Sequence, residues 1–539
     1  MPTKKLLSIT NLKKYFPVAK SSIFQKEQLY VRANEDITID IYEGETIGIV
    51  GESGCGKSTL GRVLLQLYPQ TAGATVYYGK TLDEMTPTYV SDTLKNLPKY
   101  RKKYEKAVAK VAELEKKMQD AGGEDQADFF LHQNLNLARC EEHSALNNMV
   151  KIIGGFFACP GETRGIALLQ EIFSLNQKKN LLTEEMRDHT VLKLHVEEKE
   201  SDGTAKAGDL KKKAAAEVRM AELRDKIAEL ERSIEATRQA LEQVKQTYAS
   251  NEEFQKYEAM LDNGIDLARL KYSEMRTLRR ELQIIFQDPY SSLNPRFTIG
   301  QIIEEGLVTH KFYRHGSPKL REYITQVMEE CGLQEYMLYR YPHQFSGGQR
   351  QRISIARALA VKPRFIVCDE CVSALDVSIQ SQIINLLQEL KEKEKLTYMF
   401  ISHDLSVVRY ISDRICVMYL GNIVELADAA TVFEDPRHPY SVALLSSIPT
   451  TDMENLGKER ILLEGNIPSP IRPPSGCKFH TRCYMACEKC KRVPPPLREI
   501  EPGHFVACHF PEKKIDENGK YLFEVTSTER KVARDAADQ

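Results

Sequence analysis

The sequence predicts an α/β fold: a core built around a glycine-rich loop, interrupted by a helical insertion and ended by a small cysteine-rich domain. Three observations carry this. The apolar run Thr46 to Val50 leads into Gly51-Glu52-Ser53-Gly54-Cys55-Gly56-Lys57-Ser58-Thr59, and Leu60 to Leu67 follows with helical spacing. From Thr81 the chain becomes rich in Lys, Glu, Ala, Leu and Gln. Past Ile448 it turns rich in proline and cysteine.

A chain of 539 residues exceeds one ordinary core, so several domains are expected. The boundaries read from composition are 1–80, 81–278, 279–445 and 446–539. The net charge of -1 gives no global argument for a nucleic-acid partner, and none is expected. Twelve cysteines without a secretory leader point to a cytosolic chain with reduced thiols. No apolar run reaches transmembrane length, so any membrane role comes through a partner.

Leu6 to Thr10 and Ile37 to Ile41 read as strands from their β-branched content and alternation. Tyr15 and Phe16 lie between them, followed by a polar loop to Tyr30. Strand, glycine loop, helix is the context that makes Gly51–Thr59 a phosphate cradle. Glycines let successive N–H groups converge on one anion, and the helix adds its positive end. Lys57 is placed to reach the β- and γ-phosphates and the Ser58 hydroxyl to ligate Mg²⁺.

Thr75 to Tyr78 reads as an edge strand. In the insertion, Tyr104, Ala107, Val111, Leu114 and Met118 step by three and four, and so do Leu223, Ile227, Leu230, Ile234, Thr237, Leu241, Val244 and Tyr248. Each set makes one apolar seam, and an antiparallel coiled-coil arm is expected. Ile152 to Leu194, with Gly154-Gly155-Phe156-Phe157, reads as a small tip domain.

Beyond Leu282, three strands end in polar groups: Ile284–Phe286 before Gln287, Arg364–Cys368 before Asp369-Glu370, and Thr397–Ile401 before Ser402-His403. A carboxylate beside a phosphate loop holds the Mg²⁺ shell, a role for Asp369 with Gln287. Glu370 then polarises the attacking water, and His403 bonds the γ-phosphate or positions that water. Ser346-Gly347-Gly348-Gln349 at a helix start is a second anion nest. One nucleotide needs only one nest, so the surplus points to a dimer in which each subunit completes the other's site.

Together these residues resemble the ATP-binding subunits of ABC transporters. Gly51 to Thr59, with Ser53, Gly54, Gly56 and Thr59 in place, matches Walker A. Gln287 matches the Q-loop and Phe345–Gln349 the signature. Asp369-Glu370 matches Walker B with its catalytic glutamate, Ser373–Asp376 the D-loop, and His403 the switch histidine. The resemblance implies an ABC-type nucleotide-binding domain, a RecA-like core plus a helical subdomain, that binds ATP and Mg²⁺. It also implies an aromatic stacked on adenine, which falls on Phe16 with Tyr15 as alternate. Cys371 departs from the pattern, standing where proline is usual.

Tyr42–Thr46, Phe286–Arg296 and Arg437-His438-Pro439-Tyr440 resemble the oligopeptide and dipeptide importers, over about residues 5–80 and 280–511. The wording is closer to their F-type ATPase than to the D-type. The resemblance implies a D-type partner, two membrane permeases, an extracellular substrate-binding protein, a peptide substrate, and a place on the cytoplasmic face of the membrane. Relatives carry nickel or other small solutes. DNA-maintenance ATPases also split their halves with coiled coils, but here the arm enters before the glutamine loop. Cys477, Cys483, Cys490 and Cys508 follow a spacing associated in some family members with a four-iron, four-sulfur cluster, with Zn²⁺ as the alternative and Cys487 extra.

Overall fold

The computed structural model describes residues 4–19, 28–120, 129–201, 203–447 and 461–511. The polar loop before Tyr30, the loop signal after Asp120 and the polar C-terminal tail fall mainly outside them.

Five parallel strands form one side of an eight-stranded sheet, running to its edge in the order Arg414–Tyr419, Thr46–Val50, Thr397–Ile401, Phe365–Asp369, Leu282–Ile285. Both faces are covered, which explains why Thr46–Val50, Phe365–Asp369 and Thr397–Ile401 read as continuous apolar runs and are buried at every position. Side chains alternate between two cores. Ile47, Ile49, Phe365, Val367, Met399 and Ile401 meet one core with Leu7, Ile9 and Ile39. Val50, Ile366, Cys368, Tyr398 and Phe400 meet the other, with Ile353, Ile355 and Leu387 of the helical layer.

The first face is covered by an antiparallel sheet, in the order Tyr30–Tyr42, Lys5–Pro17, Ala72–Tyr77, Ile265–Asp266. The expected edge strand Thr75–Tyr78 is therefore interior, because Ile265 pairs with Tyr77 and Asp266 with Val76. The chain thus re-enters the body by Ile265, ahead of the boundary at 278. Leu267, Met275 and Leu278 are buried in the same core as Leu7 and Tyr77.

The insertion forms two helical hairpins. Leu97–Asp120 packs on Phe129–Ile153, and Arg164–Ser201 packs on Ala207–Gln246. Cross-links run antiparallel in both, with Lys110–Glu141 and Arg139–Glu115 in the first, Arg219–Glu185 and Lys193–Glu217 in the second. The two heptad helices do not share a hairpin; each pairs with another helix of the insertion. A heptad specifies a seam but not its partner. The expected tip is also at the opposite end: Phe156 and Phe157 are buried with Tyr89, Val90, Leu241, Val244 and Phe254, where the insertion joins the body.

The second hairpin lies along the helical layer. Arg187 Nη2 donates to the His310 carbonyl at 3.0 Å, and Lys311 Nζ lies 3.2 Å from Asp188. The described part of the tail does not build a sheet of its own. His504–Val506 pairs with Asn422–Asp428, and Arg498–Glu501 closes the edge. An unpaired edge of the main sheet is thereby capped. Phe479 is buried against Tyr419 and Tyr440 in the main core.

Candidate active site

Three neighbouring parallel strands deliver the predicted site residues at their C-terminal ends, where an open α/β sheet binds ligands. Thr46–Val50 runs into the glycine loop, Phe365–Asp369 ends in Asp369, and Thr397–Ile401 precedes His403. Gln287 follows Leu282–Ile285 on the next strand.

The loop needs its glycines. Gly51, Gly54 and Gly56 have φ of 146°, 79° and 100°. A Cβ on Gly56 would sit 2.0 Å from the Ala33 carbonyl oxygen. Gly56 caps the Lys57–Leu64 helix without a side-chain acceptor, which leaves the first backbone N–H groups directed at an anion. Buried Lys57 curls over the loop, its Nζ donating to the carbonyls of Gly51 at 2.7 Å and Glu52 at 3.1 Å. Ser53, Ser58 and Thr59 complete the loop and the helix's first turn. Asn34 Nδ2 holds it from outside, 3.1 Å from the Gly56 carbonyl.

Asp369 is 1 % exposed and has two different oxygens. Oδ2 lies 3.3 Å from Arg62 Nη2, on the helix that starts at Lys57. Oδ1 is buried with no hydrogen-bond partner. A buried anionic oxygen left without a donor fits a Mg²⁺ shell, taken directly or through water.

Glu370 takes a left-handed φ of 49°, and its N–H donates to the Ile401 carbonyl at 3.0 Å. A non-glycine residue held there costs on the order of 1 kcal/mol and marks a functional position. The turn directs its carboxylate to Gln287, whose Nε2 donates to Oε2 at 2.8 Å, and places His403 Nδ1 3.7 Å from the same oxygen. Gln287, Glu370 and His403 thus meet at one carboxylate, with His403 largely exposed. This arrangement can accept a proton from water at Glu370 while the Gln287 amide holds the carboxylate and the His403 imidazole stands nearby. Behind Glu370, Cys371 is buried beside Cys368.

Ser346, Gly347, Gly348 and Gln349 stand on the helical layer. Ser346 and Gln349 form a reciprocal cap on Gly347–Ala360. A Cβ on Gly348 would meet Ile379, whose helix, Val377–Glu394, is preceded by Asp376.

The two adenine candidates differ. Tyr15 is buried, and its hydroxyl donates to Glu35 at 2.7 Å. Phe16 is part-exposed, edge-on to Tyr68, with Lys14 Nζ 4.5 Å above its ring. Burial raises the Glu35 carboxyl, but Lys478, Arg32 and Lys13 outweigh it and hold it at about 2.

Cys477, Cys483, Cys490 and Cys508 line one cavity, together with Phe479, His480 and His509. Cys487 stands beside it, its sulfur 3.6 Å from that of Cys490. Burial pushes all four cavity thiols up, Cys490 and Cys508 to about 11, so in the protein alone they are neutral. Among the described residues no group of three or more ligands stands in metal-binding geometry.

The motif reading missed Arg62, Asn34, Tyr440 and Arg482. Arg62 had a faint signal, one helical turn after Ser58 on the same face. The others reach the loop from distant segments: Tyr440 Oη accepts from the Glu52 N–H at 2.8 Å, and Arg482 pairs with the Glu52 carboxylate at 2.7 Å.

The family model for ABC transporters matches residues 34–154 and 250–373. The model for the C-terminal region of oligopeptide/dipeptide transporters matches residues 424–490. The oligopeptide transport ATP-binding protein AppF of Bacillus subtilis is 52 % identical over 254 residues, 46 % of this chain and 76 % of that protein. YkfD, also from Bacillus subtilis, is 53 % identical over 247 residues and 75 % covered. Among solved structures, the dimeric ABC transporter cassette MJ0796 is 16 % identical, covers 79 % of this chain and 99 % of its own, and has a TM-score of 0.39. At half identity over three quarters of such relatives, this chain belongs to the ATP-binding proteins of ABC transporters, in the oligopeptide/dipeptide transport family, and is an ATPase.

Proposed function

We propose that this chain energises import of oligopeptides or dipeptides, as the F-type ATPase of a heterodimer with a D-type subunit. The observation that carries this reading is the transporter C-terminal region at 424–490 beside an ABC ATPase core. Two membrane permeases would hold the pair at the cytoplasmic face of the membrane, and an extracellular binding protein would deliver the peptide. In keeping with that placement, no helix among the described residues is long and apolar enough to cross a membrane.

In this reading Gly51–Thr59 holds the triphosphate and Phe16, rather than buried Tyr15, stacks on adenine. Ser58, Gln287 and Asp369 hold Mg²⁺, which neutralises charge on the β- and γ-phosphates. Glu370 takes the proton of the attacking water, and His403 fixes its orientation. Ser346–Gln349 and Asp376 close over the partner's nucleotide. The two hairpins act as a coiled-coil arm, the second of them bracing the helical layer through Arg187 and Asp188. Uptake of a labelled oligopeptide by the complex reconstituted in vesicles tests the reading. ATP-dependent uptake that is lost with Lys57→Ala supports it. Uptake of nickel with no peptide transport overturns it.

The reading extends to a [4Fe–4S] cluster, with zinc as the alternative, on the four thiols that line one cavity, which would have to draw closer together to ligate it. Loading would release their protons, since metals bind the thiolate. Anaerobically purified protein is expected to contain about four irons per chain and a visible sulfur-to-iron band. Stoichiometric zinc would replace the cluster, and a colourless, metal-free, soluble chain would remove both.

A further inference from the structure

The second residue of the phosphate loop is an acid. Glu52 lies between Gly51 and Ser53, where a triphosphate's charge is concentrated, and an uncompensated carboxylate there repels the ligand. The chain answers this with a residue far away in sequence. Arg482 Nη1 and Nη2 donate to Glu52 Oε2 and Oε1 at 2.7 and 3.0 Å, a two-pronged pair. The Arg482 side chain is 6 % exposed and Glu52 26 %, so water screens the pair poorly. The guanidinium also lies 6.0 Å from the Tyr419 ring centroid. Tyr440, tilted against Tyr419 in the same aromatic group, fixes the Glu52 backbone N–H.

Arg482 arrives on a short segment with its own anchors. At its start, Lys478 Nζ donates to Glu35 Oε2 at 2.8 Å, and to the Leu420 carbonyl at 3.2 Å. Cys477 and Cys483, at its two ends, line the thiol cavity. The segment that brings two thiols together therefore also brings a cation to the phosphate loop.

We propose that Arg482 is a positioning residue for ATP binding: it neutralises Glu52, so that the loop meets the triphosphate without a facing negative charge. This rests on Gly51–Thr59 being the triphosphate site. The test is a double-substitution cycle on the full chain, reading ATP affinity directly by equilibrium binding. Arg482→Gln is expected to weaken ATP binding about tenfold, the order expected when a carboxylate in the phosphate loop loses its counter-charge. Glu52→Gln alone should bind ATP as tightly as wild type or more tightly. With both substitutions affinity should return to within about threefold of wild type, because the charge needing compensation is gone. The Arg482→Gln defect should also shrink at high salt.

Wild-type affinity in Arg482→Gln overturns the inference. So does a double variant as weak as Arg482→Gln alone, since the arginine would then be acting only as packing. If Arg482→Gln is insoluble, Arg482→Lys serves in the same cycle. It keeps the charge but loses the two-pronged geometry, so near-normal affinity supports compensation and a tenfold loss overturns it. A wild-type chain that binds no ATP would instead remove the assignment of the loop itself.

Discussion

Glu370→Gln is expected to lower ATP turnover about 10³-fold while leaving ATP affinity within a few-fold of wild type. The expectation follows from where the residue sits. Its left-handed backbone and the hydrogen bond to Ile401 belong to the main chain and survive the change. Glutamine has nearly the same shape and still accepts from Gln287. What disappears is a carboxylate able to take a proton from water. Lys57 comes from another strand end, and Asp369, next to Glu370 in the chain, is held separately by Arg62, so neither binding group depends on the Glu370 carboxylate. Single-turnover hydrolysis and equilibrium ATP binding, measured on the reconstituted complex, separate the two quantities. Unchanged hydrolysis would show that another residue, or the partner's site, does the chemistry. Equal loss of binding and turnover would show that Glu370 holds the site together instead.

The candidate catalytic residues could be placed at strand ends from the sequence because a parallel sheet converts sequence pattern into position. A run buried on both faces can be recognised without knowing its neighbours, and its C-terminal end points at the ligand crevice. Glu370 and His403 follow such runs, Asp369 closes one, Gln287 follows the part-buried edge strand Leu282–Ile285, and Gln287, Glu370 and His403 meet at one carboxylate. The choice between Tyr15 and Phe16 was not legible, since adjacent strand residues face opposite sides and only the fold decides which side is core. Tyr440 and Arg482 were invisible for another reason. They approach Glu52 from segments whose local sequence says nothing about a phosphate loop hundreds of residues earlier. The insertion was half legible: its seams were found, but seams of similar apolar residues do not name their partners. The early return at Ile265–Asp266 was missed because two residues are too few for an alternation to register.

That insertion carries the other large expected effect. Phe156→Ala should destabilise it by about 3–5 kcal/mol, the usual cost of emptying a buried aromatic site. Phe156 is 2 % exposed and lies edge-on to Phe254 and Tyr248, at 5.5 and 6.5 Å between centroids. Its ring also packs over Gly165 so closely that a Cβ there would come within 2.4 Å. These contacts tie together the end of one hairpin, the start of the next and the helix Glu252–Glu258 that follows. Little else can do so, because the hairpins beyond this point are held by a few buried apolar residues and by exposed ion pairs worth well under 1 kcal/mol each. The ATPase body has two large cores of its own, and only one of them shares residues with this core, the part-buried Leu82 and Leu270. Loss of Phe156 should therefore open the hairpins without unfolding the body. Hydrogen exchange should speed up over 129–153 and 164–246 but not over Thr46–Val50 or Phe365–Asp369, and ATP affinity should hold. A single transition shifted for the whole chain, with ATP binding lost in step, would mean that insertion and body fold as one unit, and the insertion would then be part of the engine's frame.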